Sequence, residues 1–156
     1  MSAPSTVIQL DATPTTWLAI TYDLRGGGHG TGQLRFRWRE EEGRLDIGGR
    51  RYRFSRDEQG NYRLERRGRL IATAGQPGDF SRAFEVHHQG DVWELRARPM
   101  RRAFKVLHRG RPVAGVEPAA WYKRHARLTA VDGIDEELGY FLLVLVLLWW
   151  RRKRIA

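Results

Sequence analysis

Arginine is the residue type through which this chain is best equipped to do chemistry. Of its 28 lysines and arginines only Lys105, Lys123 and Lys153 are lysines, and the formal net charge is +10. A guanidinium is a planar fork of donors that grips phosphate through paired hydrogen bonds, which a lysine ammonium cannot match. Over residues 33–39 the alternation is strict, with Leu34, Phe36 and Trp38 on one face and Gln33, Arg35, Arg37 and Arg39 on the other. That is the pattern of a half-buried strand with a cationic outer side. Paired with a strand around residues 51–55, it would place Arg35, Arg37, Arg39, Arg51 and Arg53 on one outward surface, with Glu40, Glu41 and Glu42 confined to the intervening turn. Five guanidiniums with no acid among them form a surface for polyanions, whether anionic phospholipid or nucleic acid. The competing reading is an ordinary solvated wall in a chain whose composition favours arginine over lysine.

Other chemistry finds little support. The absence of cysteine excludes a disulfide framework, a thiolate metal site and a cysteine nucleophile. Ser2, Ser5, Ser55 and Ser81 are the only serines, and none stands in a nucleophile elbow. The stretch GGGHGTG lacks the Lys-Ser/Thr pair of a phosphate loop and reads as a flexible hairpin loop. His87 and His88, adjacent in a strand, point to opposite faces, while His108 and His125 read as satisfied polar groups at strand ends or on the outer wall. Asp46, Asp57, Asp79 and Asp91 fall near turns, where aspartate has local hydrogen bonds to make. The expectation is a non-catalytic protein with no metal and no cofactor.

The elements that must position these residues are short. A chain of 156 residues suits one domain. Residues 1–14, with Pro4 and Pro14 among Ser, Thr and Ala, read as a flexible tail, leaving residues 15–156 as the domain. The N-terminus has no charged segment followed by an apolar core, so a cytoplasmic protein is expected. A first strand is expected over residues 16–24 and a glycine-rich loop over 25–32, followed by the strand at 33–39. RYRFS, YRLER, LIATA, the hairpins AFEVHHQGDVWELRAR and AFKVLHRGRPVAGVEP, and residues 122–130 complete a meander of short antiparallel strands. The period then changes. Asp132 or Asp135 can cap a helix over about residues 135–153, with Glu136 and Glu137 in its first turn and the cations of RRKR at its end.

Residues 138–150 contain nothing more polar than Gly139 and Tyr140. A helix apolar on every side is either a membrane span or the centre of a core. These thirteen residues reach only ~20 Å, short of the ~30 Å hydrocarbon layer but matched to a barrel of strands ~17–20 Å long. The rival is a membrane anchor with Trp149, Trp150 and RRKR at the interface.

The order FEV, WEL, FKVLHRGRPVAGV and then DGIDEELGYFLLVLVLL resembles the tubby C-terminal-like superfamily, especially its LURP-one-related members, which are similar to phospholipid scramblases. The likeness spans residues 49–150 and is strongest over 80–148. Trp149, Trp150 and RRKR extend beyond the family's usual helix ending, and the loop at 25–32 has no counterpart. The resemblance implies a mainly β fold, a closed antiparallel barrel of about twelve strands around a hydrophobic C-terminal helix. Relatives in the wider superfamily bind phosphoinositides or act at bilayers. The implied function is therefore peripheral recognition of anionic phospholipid headgroups through the outer arginines, at the inner membrane surface. A nucleic-acid-binding barrel stays open as an alternative. It is less favoured because Phe36, Trp38, Tyr52 and Phe54 fall on the face opposite the arginines and offer bases no stacking platform.

Overall fold

The computed structural model describes residues 8–15, 21–26, 31–76, 82–99, 101–118, 125–130 and 134–155. They form β1 (Ile8–Pro14), β2 (Thr21–Gly26), β3 (Thr31–Arg37), β4 (Glu42–Ile47), β5 (Arg50–Arg56), β6 (Tyr62–Arg66), β7 (Arg69–Gly75), β8 (Ala83–His88), β9 (Asp91–Ala97), β10 (Phe104–His108), β11 (Arg111–Pro118), β12 (Ala126–Ala130) and α1 (Glu136–Ile155). Each strand pairs antiparallel with its neighbours in sequence, and β1 closes the ring against β12. The twelve-stranded barrel is complete and leaves no free edge.

Turn chemistry gives the barrel two unlike ends. Gly48–Gly49, Arg67–Gly68, Gln89–Gly90 and Arg109–Gly110 all have positive φ at both positions, for instance 53° and 77° at Arg109 and Gly110. These are two-residue turns whose twist matches that of the strands, and glycine at the second position accepts the left-handed backbone at no steric cost. They join β4–β5, β6–β7, β8–β9 and β10–β11, so all lie at one end, the tight-turn end. The connections after β3, β5, β7 and β9 are longer and define the other, long-turn end.

The helix follows β12, enters at the tight-turn end and emerges at the long-turn end. Every residue from 138 to 148 is buried, so no face of α1 meets solvent along that stretch. Its contacts come from around the ring: the Phe141 ring lies 5.8 Å from Phe54 of β5, and Trp149 lies 5.7 Å from both Phe84 of β8 and Phe104 of β10. At Gly139 the helix comes so close to β1 and β12 that a Cβ would collide with Leu10 and touch Leu128. Asp135 Oδ1 accepts from the Leu138 backbone N–H at 3.0 Å and caps the helix, with Glu136 and Glu137 in the first turn as expected. Among the described residues no helix is long and apolar enough to cross a membrane.

Several expectations need correction. Residues 8–14, read as tail, form β1; Leu10 and Ala12 face inward, and the small alanine weakened the apolar period. Residues 1–7 and 16–20 lie outside the described residues, and β2 begins only at Thr21. β3 ends at Arg37, so Arg39 stands in the turn beyond it. The segment read as a turn between two arginine strands contains a strand of its own, β4. Its inward positions are Gly43, Leu45 and Ile47. The missing side chain of Gly43 is supplied by the ring of Phe36, its cross-strand partner, which fills the space a Cβ would need.

Leu145 is fully buried at the centre of the filling helix. Leu145→Ala should cost ~2–5 kcal/mol by cavity formation. Leu145→Arg, which leaves a charge without a partner there, should abolish the cooperative thermal transition followed by circular dichroism in detergent-free buffer. A wild-type transition in the arginine variant would contradict a core role for the helix.

Candidate functional site

Strand register decides what the outer arginines can do. Arg35 of β3 stands directly opposite Arg44 of β4, and Arg44 directly opposite Arg53 of β5. All three are exposed. They form one row across three strands, with adjacent strands ~4.8 Å apart. The row ends at Thr21 of β2 on one side and Glu65 of β6 on the other. Among the described residues Arg35 and Arg44 have no ion-pair partner, and Arg53 Nη2 lies 3.7 Å from Glu42 Oε2. Like charges directly opposite one another destabilise a sheet, so Arg35 and Arg44 repel without compensation, while Arg53 is offset in part by Glu42.

The acid-free surface of five arginines does not form as expected, because β4 separates β3 from β5. Glu42 reaches Arg37 at 3.8 Å as well as Arg53, and Asp46 lies 3.3 Å from Arg51. Arg39 sits off the strand, exposed in the turn. Asp46 itself is a strand residue on the outer face, two positions before the Gly48–Gly49 turn. The arginine that sequence reasoning missed is Arg44, and the alternation of Arg44 and Asp46 with Leu45 and Ile47 ahead of a Gly-Gly turn was the available signal.

At the long-turn end one carboxylate ties the helix to the barrel. Glu41 accepts hydrogen bonds from Arg152 Nε at 2.9 Å and Nη2 at 3.0 Å. It also accepts from Arg56 Nη1 and from the Tyr62 hydroxyl, both at 3.0 Å. Burial, followed by the Glu41 charge, pushes the Tyr62 phenol well above its ordinary range. Beside this cluster Arg151 lies 5.5 Å from the centre of the Trp38 ring and Arg102 lies 4.6 Å from that of Trp150. Trp150 Nε1 donates to the Arg102 carbonyl at 3.2 Å.

At the tight-turn end a cavity of about 370 Å³ opens among Arg50, Tyr52, Gln89, Asp135, Glu137 and Tyr140. Tyr52 donates to Glu137 Oε2 at 2.7 Å, and the other Glu137 oxygen lies 3.3 Å from Nε2 of the buried His88. Burial raises the Tyr52 phenol, and the bond to Glu137 adds to this. Tyr140 donates to the Gly26 carbonyl at 3.3 Å and is pushed up to about 12, chiefly by burial and then by the charges of Glu136 and Asp11. These groups fasten the start of the helix.

The other histidines among the described residues are engaged. His87 faces outward, opposite in direction to His88, with Nε2 2.9 Å from Glu85 Oε1. His108 stacks on Trp93 at 3.9 Å and lies 2.6 Å from Asp91, a contact that holds the Asp91 carboxyl below the usual range. His125 Nε2 lies 3.0 Å from Thr13 Oγ1. Among the described residues no group of three His, Asp or Glu side chains is placed to hold a metal ion. Residues 27–30 of the glycine-rich stretch, Asp79, Ser81 and residues 119–124 lie outside the described residues.

No family model matches the chain, no curated protein matches it, and no solved structure matches it.

Two predictions test how the helix is fastened. Glu41→Gln should cost ~1–3 kcal/mol in chemical denaturation, because two arginines and a phenol lose a charged acceptor. The second concerns alkali. A phenol that ionises at a higher pH when folded contributes stability that is intact below the ordinary value of 10.0 and is lost as pH rises toward about 12. Tyr140 alone should therefore lower the unfolding free energy by roughly 2–3 kcal/mol over that window, and Tyr140→Phe should make the fall shallower.

Proposed function

We propose that the protein is a non-catalytic member of the tubby C-terminal-like superfamily, similar to LURP-one-related proteins, that binds anionic phospholipid headgroups at the inner membrane surface. A closed ring of twelve strands around a buried C-terminal helix supports the kinship. The observation that carries the lipid reading is the row Arg35–Arg44–Arg53. Three guanidiniums held opposite one another repel, and a phosphate oxygen set between neighbouring forks removes the repulsion while accepting paired hydrogen bonds. Each arginine near an anionic surface is worth ~1 kcal/mol, so the row supplies ~3 kcal/mol, or roughly a hundredfold in affinity.

The test is flotation with mixed phosphatidylserine and phosphatidylcholine vesicles. Replacing Arg35, Arg44 and Arg53 together with glutamine should weaken vesicle association roughly a hundredfold. It should not lower the thermal midpoint, since the substitutions remove repulsion and touch no core atom. Unchanged flotation would sink the site. A variant that still floats but loses a salt-sensitive shift with RNA or DNA would favour the nucleic-acid reading.

A further inference from the structure

We infer that the β6–β7 hairpin is the corner on which the barrel enters an anionic bilayer, with Leu70 as its apolar anchor. The inference rests on the reading of the arginine row as a lipid site and says where that site leads.

Register carries the row past Arg53 to a hairpin tip. Arg53 stands opposite Glu65 of β6, and Glu65 opposite Leu70 of β7. Along each strand the row lies four residues from Thr31 at Arg35, three from Ile47 at Arg44, three from Arg50 at Arg53, and one from Arg69 at Leu70. At ~3.3 Å per residue it therefore climbs roughly 10 Å toward the tight-turn end between β3 and β7.

A bulge aims the last side chain. The ladder shifts between Leu64 and Glu65, where β7 holds the extra residue Ile71. Such an insertion re-aims the side chains next to it. Ile71 packs against the core, while Leu70, opposite the outward Glu65, is 51% exposed, the most exposed large apolar side chain among the described residues.

Around Leu70 the tip is cationic. Arg66 stands directly opposite Arg69, and Arg67 takes the first place of the turn at a φ of 52°. Among the described residues these three have no ion-pair partner, and the neighbouring acid, Glu65, lies 3.6 Å from Arg63. Phosphates between the guanidiniums relieve their repulsion, as they do along the row. A convex tip of three cations and one aliphatic side chain suits headgroups with hydrocarbon beneath them, and it offers bases no aromatic platform.

The other tips at this end lead elsewhere. The β10–β11 turn repeats the sequence Arg-Gly-Arg, and Val92 is exposed on the adjacent β9. The wall behind Val92, however, holds Glu85 directly opposite Glu94, with His87 and Arg96 against them. An anionic surface gains on the arginine row behind β6–β7 and finds no such row there. The acids of the tight-turn end are engaged: Asp46 lies against Arg51, Asp91 against His108, Asp135 caps the helix, and Glu137 meets Tyr52 and His88. Glu136 belongs to the first turn of the helix.

The absence of cysteine from the chain allows single labels. Leu70→Cys, Val92→Cys and Gln59→Cys, the last in the turn after β5 at the long-turn end, each receive an environment-sensitive fluorophore and are mixed with phosphatidylserine–phosphatidylcholine vesicles. Docking on the corner gives a blue shift at position 70 and none at 92 or 59. Leu70→Glu, which alters no core atom, should keep the wild-type thermal midpoint and partition roughly tenfold more weakly. Vesicle binding with no shift at 70, or at full strength in Leu70→Glu, overturns the corner; if replacing Arg35, Arg44 and Arg53 still abolishes that binding, the wall site stands without it. A shift at 92 or 59 also overturns it. A variant with Arg66, Arg67 and Arg69 changed to glutamine that floats like wild type but loses a salt-sensitive shift with RNA would give the corner to nucleic acid instead. Absence of vesicle binding would remove both readings together.

Discussion

A closed twelve-stranded ring must be filled, and the rest of the molecule depends on how that is done. Eight strands leave an interior that their own side chains can pack; twelve leave a wider one. Here the filling is a helix that presents apolar atoms in every direction, with residues 138–148 all buried. Each enclosed Leu, Val or Phe contributes ~1.5–3 kcal/mol, which is why a chain so rich in arginine can still have a dry centre. The same requirement imposes alternation on the strands, interrupted by register shifts at Leu64/Glu65 and Val106/Leu107, because every second side chain must face the helix. Of the polar groups that reach inward, His88, Tyr52 and Tyr140 gather at the mouth where the helix starts, within reach of the Glu137 carboxylate or a backbone carbonyl, while the Tyr62 hydroxyl meets Glu41 at the other mouth.

What could be read in the sequence was what is local. The alternation at Leu34, Arg35 and Phe36, the glycine turns of the later hairpins, the cap at Asp135 and the uninterrupted apolar helix are written within a few residues of one another, and the structure has all of them. The strands that escaped are those whose inner positions are small. Ala12 in β1 and Gly43 in β4 give little apolar signal, and at Gly43 the ring of Phe36 supplies the volume. Missing β4 displaced the site as well: it hid Arg44, and it hid Glu42 and Asp46 among the arginines. The bond between Glu41 and Arg152 joins residues 111 apart, and nothing near either one announces it.

The outer wall shows how one strand changes electrostatics. With β4 in place, successive cross-strand rows alternate in character. Asp46 beside Arg51 and Glu42 beside Arg37 give mixed rows, while the row between them carries only arginine. Exposed ion pairs of this kind are worth little in stability, ~0–1 kcal/mol each. Their larger effect is to narrow the cationic surface from a broad patch to a stripe one residue wide.

The order of elements along the chain sets the order of assembly on the ribosome. β1 closes against β12, and the helix that fills the ring comes after both, so closure waits for β12 and filling for α1 to emerge. Translation at roughly 5–20 residues per second leaves a nascent meander with apolar inner faces and unpaired strand edges for several seconds. A molecule with no sticky edge when finished is thus at its most adhesive just before its last segment appears. Shielding of those inner faces during that interval is a condition of folding separate from the stability of the completed barrel.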